Sequence, residues 1–245
     1  MNKRLYFILF YIISIFIFST CASISAPGGG PRDLSPPILL NDKIYPKSTL
    51  NIDFNQKIIL PFDERIYPST AISAISIEPE TNVSIKIKNN VIEIRPKKEW
   101  PKQFKIFINR TLTDYNKNSL RNPIQIPFSR LDSIVFNDIE GSLFNIDTLN
   151  YYHIYLLDKN LSIISKTESN LNGKFNFLIQ NNNYSDKIIL ALEKQSSENF
   201  NEEIRLKNYG LSNRPINLYN NPIYISESLR LSKINNISLI NKNYG

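Results

Sequence analysis

Short runs of alternating apolar and polar residues, separated by turn residues, constrain this chain more than any other feature. Side chains of an extended strand point to opposite faces in turn, so such runs specify half-buried strands rather than helices. Thr49–Phe54 places Leu50, Ile52 and Phe54 on one face. Val83–Lys88 turns Val83, Ile85 and Ile87 inward, and Val91–Arg95 does the same with Ile92 and Ile94. Between those two runs lies Asn89-Asn90, which suits a tight hairpin because Asn tolerates positive φ. Phe104–Ile108 sets Phe104, Ile106 and Ile108 on one face and leaves Lys105 on the opposite, polar face with Lys86. Ile124–Phe128 closes the series, and Pro127 marks an edge or final strand. Arg65–Ile75 holds one or two helical turns at most. Several short strands over residues 38–131 predict an all-β domain built as a β-sandwich.

A second set of strands follows over residues 132–195. Ile134–Phe144 reads as a strand with Gly141 at a bulge or bend, and Tyr152–Leu157 as the next. Asn172-Gly173, between Ile163-Ile164 and Phe175–Phe177, predicts a hairpin. Lys187–Leu192 is a buried strand. Residues 196–245 are Asn-rich, with strand-like pieces at Ile216–Leu218, Ile223–Ile225 and Ile237–Leu239. This extension either completes the second sandwich or packs beside it, and its end is expected to fray.

The N-terminal part is of another kind. Lys3 and Arg4 precede an apolar run, Leu5–Phe18, that is too short for the roughly 20 residues of a membrane span and is sized for a secretory signal. The single cysteine, Cys21, stands directly after it. Residues 21–37 then carry Pro27-Gly-Gly-Gly-Pro31 and Pro36-Pro37, a composition for an extended, unpacked tether. Phe18-Ser19-Thr20-Cys21 resembles the lipobox of bacterial lipoprotein signals, which implies cleavage after residue 20 and lipidation of the Cys21 sulfur. Phe18 and Thr20 stand where that pattern usually has Leu and Gly, Ala or Ser. Cleavage by an ordinary signal peptidase after Ala22 is the alternative. One cysteine also means no intrachain disulfide, so apolar cores must carry stability.

Pro27–Pro37 is similar to the Pro-x-Gly-Gly-Pro-x-Asp-x-x-Pro-Pro linker of Bacteroidetes envelope lipoproteins, in which an SbsA-type bacterial Ig-like domain follows. Ile52-Asp-Phe54, Ile75-Ser-Ile-Glu-Pro79, Val91–Ile94 with Trp100, Asp114–Asn118 and Ile126–Ser129 resemble that domain's strands and turns in order. Phe54-Asn55-Gln56 departs from its Phe-Asp-Glu, and Lys117 replaces its turn glycine. The resemblance implies an Ig-like fold on a lipid anchor and no catalytic activity. Glu140-Gly-Ser-Leu143, Tyr155-Leu-Leu157 and Asn172–Phe177 resemble a prealbumin-like or carboxypeptidase-regulatory-like β-sandwich.

Residues able to carry chemistry are sparse. His153 is the only histidine and lies in a strand-like run, which favours a structural role and argues against zinc, haem and thiol chemistry. No Gly-x-Ser-x-Gly turn exposes a nucleophile. Gly28–Gly30 lacks the Lys-Ser/Thr of a phosphate loop. Asp114-x-Asn116-x-Asn118 imitates a calcium loop, but Ser119 and Gln125 stand where that loop needs Gly and Glu, so a plain turn is expected. Paired acids Asp63-Glu64, Glu78/Glu80 and Glu202-Glu203 are expected on the surface rather than facing across a glycosidase cleft. Trp100, Tyr115, Tyr151 and Tyr152 fit either sugar stacking or a sandwich core.

The formal charge is +7, but the basic residues are spread along the chain, and Arg95–Lys98 reads as a solvated turn. The expectation is a non-catalytic envelope lipoprotein acting as spacer, scaffold or binding module, needing no cofactor or metal. Its partners would be the membrane, through Cys21, and an envelope protein or glycan, not nucleic acid. Ala22–Ser25 lacks an aspartate or acidic cluster, which points to the outer membrane with the body facing the periplasm. A surface-displayed adhesin is the alternative, and an envelope hydrolase the third class.

Overall fold

The computed structural model describes residues 30–146, 152–180, 186–193, 209–212 and 216–226. The chain divides into two units, residues 1–34 and 35–245. In the first, residues 30–34 are exposed and form no helix or strand. Among the described residues, no helix is long and apolar enough to cross a membrane. The second unit begins before the expected end of the tether, since Pro37 is already buried.

The described structure is all-β. The first sandwich contains β1 (Ile58–Pro61), β2 (Ile75–Glu78), β3 (Val83–Lys88), β4 (Val91–Pro96), β5 (Gln103–Ile108) and β6 (Ile124–Ser129). They form two antiparallel sheets, ordered β1-β4-β3 and β2-β5-β6. One helix, α1 (Pro68–Ala74), starts at a proline and buries Ala71 and Ala74. Proline fits that first turn because its missing N–H would have no intrahelical acceptor there.

Ile58, Leu60, Ile92 and Ile94 from one sheet meet Ile77, Phe104, Ile106 and Phe128 from the other in one apolar cluster. Trp100 stacks on Phe104 at 4.4 Å, and Phe104 on Phe128 at 5.6 Å. The Trp100 indole donates to the Gln56 carbonyl at 2.7 Å, satisfying its one polar group in the core. Asn89 takes φ 56° at the β3–β4 turn, as its position in the sequence requires. Val83, Ile85 and Ile87 are only half-buried because β3 is an edge strand.

Two expectations for this region fail. Thr49–Phe54 is not a regular strand, although Asn51 and Ile52 donate to the carbonyls of Leu131 and Ser129. Asn51 adopts φ 53°, and a turn closed by the Gln56 N–H donating to the Asp53 carbonyl ends the alternation before Phe54, so Ile52 is buried while Phe54 is exposed. Lys105 does not face solvent. It is 1% exposed, because a second layer of protein covers the outer face of β5.

That layer is the second sandwich. It holds β7 (Asn137–Phe144), β8 (Tyr152–Leu157), β9 (Ile163–Glu168), β10 (Lys174–Ile179), β11 (Ile188–Glu193), β12 (Tyr209–Leu211) and β13 (Asn221–Tyr224). Its sheets are ordered β10-β7-β13 and β12-β11-β8-β9. Ile139, Phe175, Phe177 and Ile223 from the first pack against Tyr152, Ile154, Leu156 and Ile189 from the second. Strand β13 runs parallel to β7, so part of the Asn-rich extension contributes to this core. Ile216, Ile223 and Ile225 are all buried there, whereas Ile237–Leu239 lies outside the described residues.

The second sandwich differs from the expected strand pattern at two places. Gly141 is not at a bulge: the β7–β10 register runs through it unbroken. A Cβ there would lie 2.1 Å from the Phe175 ring, so the glycine makes room for an aromatic side chain on the neighbouring strand. Asn172-Gly173 does form a tight turn, with Gly173 at φ 74° and its N–H donating to the Asn170 carbonyl. The flanking strands do not pair as a hairpin, however. The turn carries the chain from β9 in one sheet to β10 in the other.

Candidate functional site

The residues with unusual chemistry meet where the two sandwiches join. Strand register builds half of this site. On the outer face of the β2-β5-β6 sheet, Glu78 lies opposite Lys105 and Phe107 opposite Gln125. Opposite charges directly across two strands attract, and here they do so under cover. Lys105 Nζ lies 3.1 Å from Glu78 Oε2. It also donates to Gln125 Oε1 at 2.9 Å, Ser165 Oγ at 2.9 Å and the Leu178 carbonyl at 3.0 Å. An ammonium has three N–H donors, so these acceptors exhaust them. Burial pulls the Lys105 pKa below its ordinary value, against the opposing pull of the Glu78 carboxylate.

Glu78 is equally engaged. It accepts from Ser165 Oγ at 2.8 Å and from the Lys166 backbone N–H at 3.3 Å. Gln125 turns its amide onto β10, accepting from the Leu178 N–H at 3.2 Å and donating to the Asn176 carbonyl at 2.9 Å. Farther along the join, Glu168 accepts from the Arg110 backbone N–H at 2.7 Å, and the Arg110 guanidinium donates to the Ser169 carbonyl at 3.2 Å. Glu168 is 1% exposed. Its second oxygen is 3.2 Å from His153 Nδ1, as the register opposing His153 to Glu168 on β8 and β9 dictates. The Glu168 charge and burial together push the Tyr155 pKa up, burial being the larger cause.

A groove of about 620 Å³ opens over the Glu78–Lys105 pair, walled by Ile77, Val83, Ile163 and Ile164. Lys105 sits in its wall, but an amine acting as nucleophile or base must reach a substrate with a free lone pair. This amine is enclosed and donates to fixed acceptors. The arrangement is suited to holding two domains together.

The other residues singled out in the sequence are scattered. Asp114 is buried, and its two carboxylate oxygens accept from the Asn118 N–H and side-chain amide at 2.7 and 2.8 Å. The segment is a closed turn, with Lys117 at φ 67°. Trp100 and Tyr152 are core residues, whereas Tyr115 is exposed and meets Tyr67 edge-to-face at 5.6 Å. Asp63 accepts from the Ile38 N–H at 2.7 Å, and Glu80 is exposed. Arg95, Lys97 and Lys98 are exposed. Cys21, Gly28, Gly29, Tyr151, Glu202 and Glu203 lie outside the described residues.

The alternation of β5 places Lys105 on a solvent face, whereas it lies buried at the centre of the join. One signal was present: Phe107 shares the phase of Lys105, so β5 carries a large apolar side chain on its supposedly polar face. A strand apolar on both faces is covered on both.

No family model matches the chain, and no curated protein matches it. Among solved structures, the crystal structure of native alpha-2-macroglobulin from Escherichia coli spanning domains MG0-NIE-MG1 aligns with 66% of this chain and 67% of its own, at 12% identity and a TM-score of 0.30. At that score the description of the fold rests on the strands above.

Proposed function

We propose that this chain is a non-catalytic, lipid-anchored scaffold or spacer of a bacterial cell envelope, attached through Cys21. The observation that carries this reading is the join. Its buried charged groups, Lys105, Arg110 and Glu168, and the half-buried Glu78 are spent on bonds that bind one sandwich to the other. The exposed residues 30–34 ahead of the body suit a tether, and the two-sandwich body is compatible with the resemblance to Bacteroidetes envelope lipoproteins with an Ig-like domain. Attachment on the periplasmic side of the outer membrane is part of the same reading. A bacterial lipoprotein carries several acyl chains, and one alone would anchor only marginally.

Mass spectrometry of the purified protein tests the anchor. Acyl chains on Cys21 at the new N-terminus are expected, and Cys21→Ala should move the protein from the membrane to the soluble fraction. An unmodified thiol, or a mature start at Ser23, contradicts the reading.

A binding role, the second reading, draws on one surface feature. Phe144 and Tyr224 are both exposed and stack at 5.2 Å, a ready platform for a sugar ring. A glycan array with the wild type and Tyr224→Ala separates the two readings.

A further inference from the structure

Among the described residues strand β10 ends its sheet, so one row of its backbone N–H and C=O groups has no neighbouring strand there. Such an edge is a template for pairing with another chain. Its sequence, Lys174-Phe-Asn-Phe-Leu-Ile179, makes the hazard acute. It is rich in aromatic and branched apolar residues, carries one charge and contains neither Pro nor Gly, which is the composition of self-stacking segments.

In the structure this edge is met by side chains. The Gln125 amide accepts from the Leu178 N–H and donates to the Asn176 carbonyl. Lys105 Nζ donates to the Leu178 carbonyl. Together they make bonds of the type that the backbone of an added strand would make. The neighbouring edge, β9, is treated alike, with Glu78 accepting from the Lys166 N–H.

We propose that β10 is a self-pairing edge strand, and that Gln125 and Lys105 of the first sandwich cap it, taking the main-chain positions that β10 of a second copy of this chain would otherwise occupy. Two identical edges can pair about a two-fold axis, each supplying what the other lacks, so a second copy is the occupant the edge fits. The first sandwich thereby has a protective role in addition to any scaffolding one.

The test compares the wild-type chain, purified as the cell processes it, with the Gln125→Ala/Lys105→Met double variant. Sedimentation and amide hydrogen exchange are read over a range of concentrations. The wild type should stay monomeric with a slow Leu178 amide. In the dilute double variant that amide should exchange at least about tenfold faster, because its acceptor is gone. At high concentration the variant should dimerise, and protection at Leu178 should return.

A variant that stays monomeric at every concentration overturns the self-pairing. A dimer whose Leu178 amide remains fast overturns the assignment to β10. A dilute variant whose Leu178 amide stays as slow as in the wild type overturns the cap. Should the double variant fail to fold, Gln125→Ala alone removes both the acceptor of the Leu178 N–H and the donor to Asn176. It should dimerise more weakly but still measurably, and a strictly monomeric Gln125→Ala chain counts against the proposal.

Discussion

The two sandwiches bury their apolar clusters by different routes. The first is assembled from strands close in sequence, and its core residues announce themselves by alternation: Ile94 and Phe104 each sit between polar neighbours, and Ile92 and Ile106 share their phase. The second is closed by distant pieces. β13 reaches back to pair in parallel with β7, and Asn221 pins it by donating to the Glu140 carbonyl at 2.6 Å and the Asn217 carbonyl at 2.8 Å. Its fit depends on a missing side chain at Gly141. Local periodicity therefore locates strands well but does not say which strands pair. It also says little about a face covered by a second domain.

The largest effect should come from the aromatic stack of the first sandwich. Phe104→Ala removes a ring packed between Trp100 and Phe128 and should cost about 3–5 kcal/mol in a denaturant titration. In the second sandwich the corresponding weak point is a gain of volume. Gly141→Ala should cost about 1–3 kcal/mol, and Phe175→Leu should recover part of that loss by vacating the space above residue 141. If Gly141→Ala is neutral, the close approach of Phe175 is wrong.

At the join, Lys105→Ala leaves Glu78, Gln125 and the Leu178 carbonyl without their shared donor. Glu78 keeps some access to water, its side chain being 21% exposed, so the expected loss is about 1–3 kcal/mol. Lys86→Ala, on the exposed face of β3, should stay within about 0.5 kcal/mol. Equal effects of the two lysine substitutions would refute the burial of Lys105.

The smallest effect is a pH dependence. Between the depressed Lys105 pKa and the ordinary lysine value of 10.5, the unfolded chain holds a proton that the folded chain has released. Stability contributed by this group therefore rises with pH across that alkaline window. Tyr155, with its raised pKa, acts oppositely: above 10.0 the folded chain keeps a proton that the unfolded chain loses, so its contribution falls. Comparing the wild type with Lys105→Met cancels the tyrosine. The wild type should gain on the variant as pH rises, and a declining difference would contradict the direction assigned to Lys105.

Much of the fold was legible because one face of most strands is buried and the other is not. The Asn89-Asn90 turn, the phase of β3 to β5 and the edge position of β6 follow from that pattern. The join was not legible. Lys105, Glu78 and Gln125 look like ordinary outward-facing polar residues, and their hydrogen-bond partners on β9 and β10 lie far along the chain. Asn172-Gly173 shows the same limit: the turn chemistry was right, but a turn specifies a change of direction without specifying the strand's partner. Phe54 failed for a local reason, since the turn closed between Asp53 and Gln56 interrupts an alternation that the residue types suggested.

Whether the join makes the two sandwiches one body is measured directly by backbone ¹⁵N relaxation. Amides of β1 to β6 and of β7 to β13 should report a single rotational correlation time in the wild type. In a Lys105→Ala/Arg110→Ala variant they should separate into two. Two distinct times in the wild type, with each sandwich tumbling on its own, would contradict the claim.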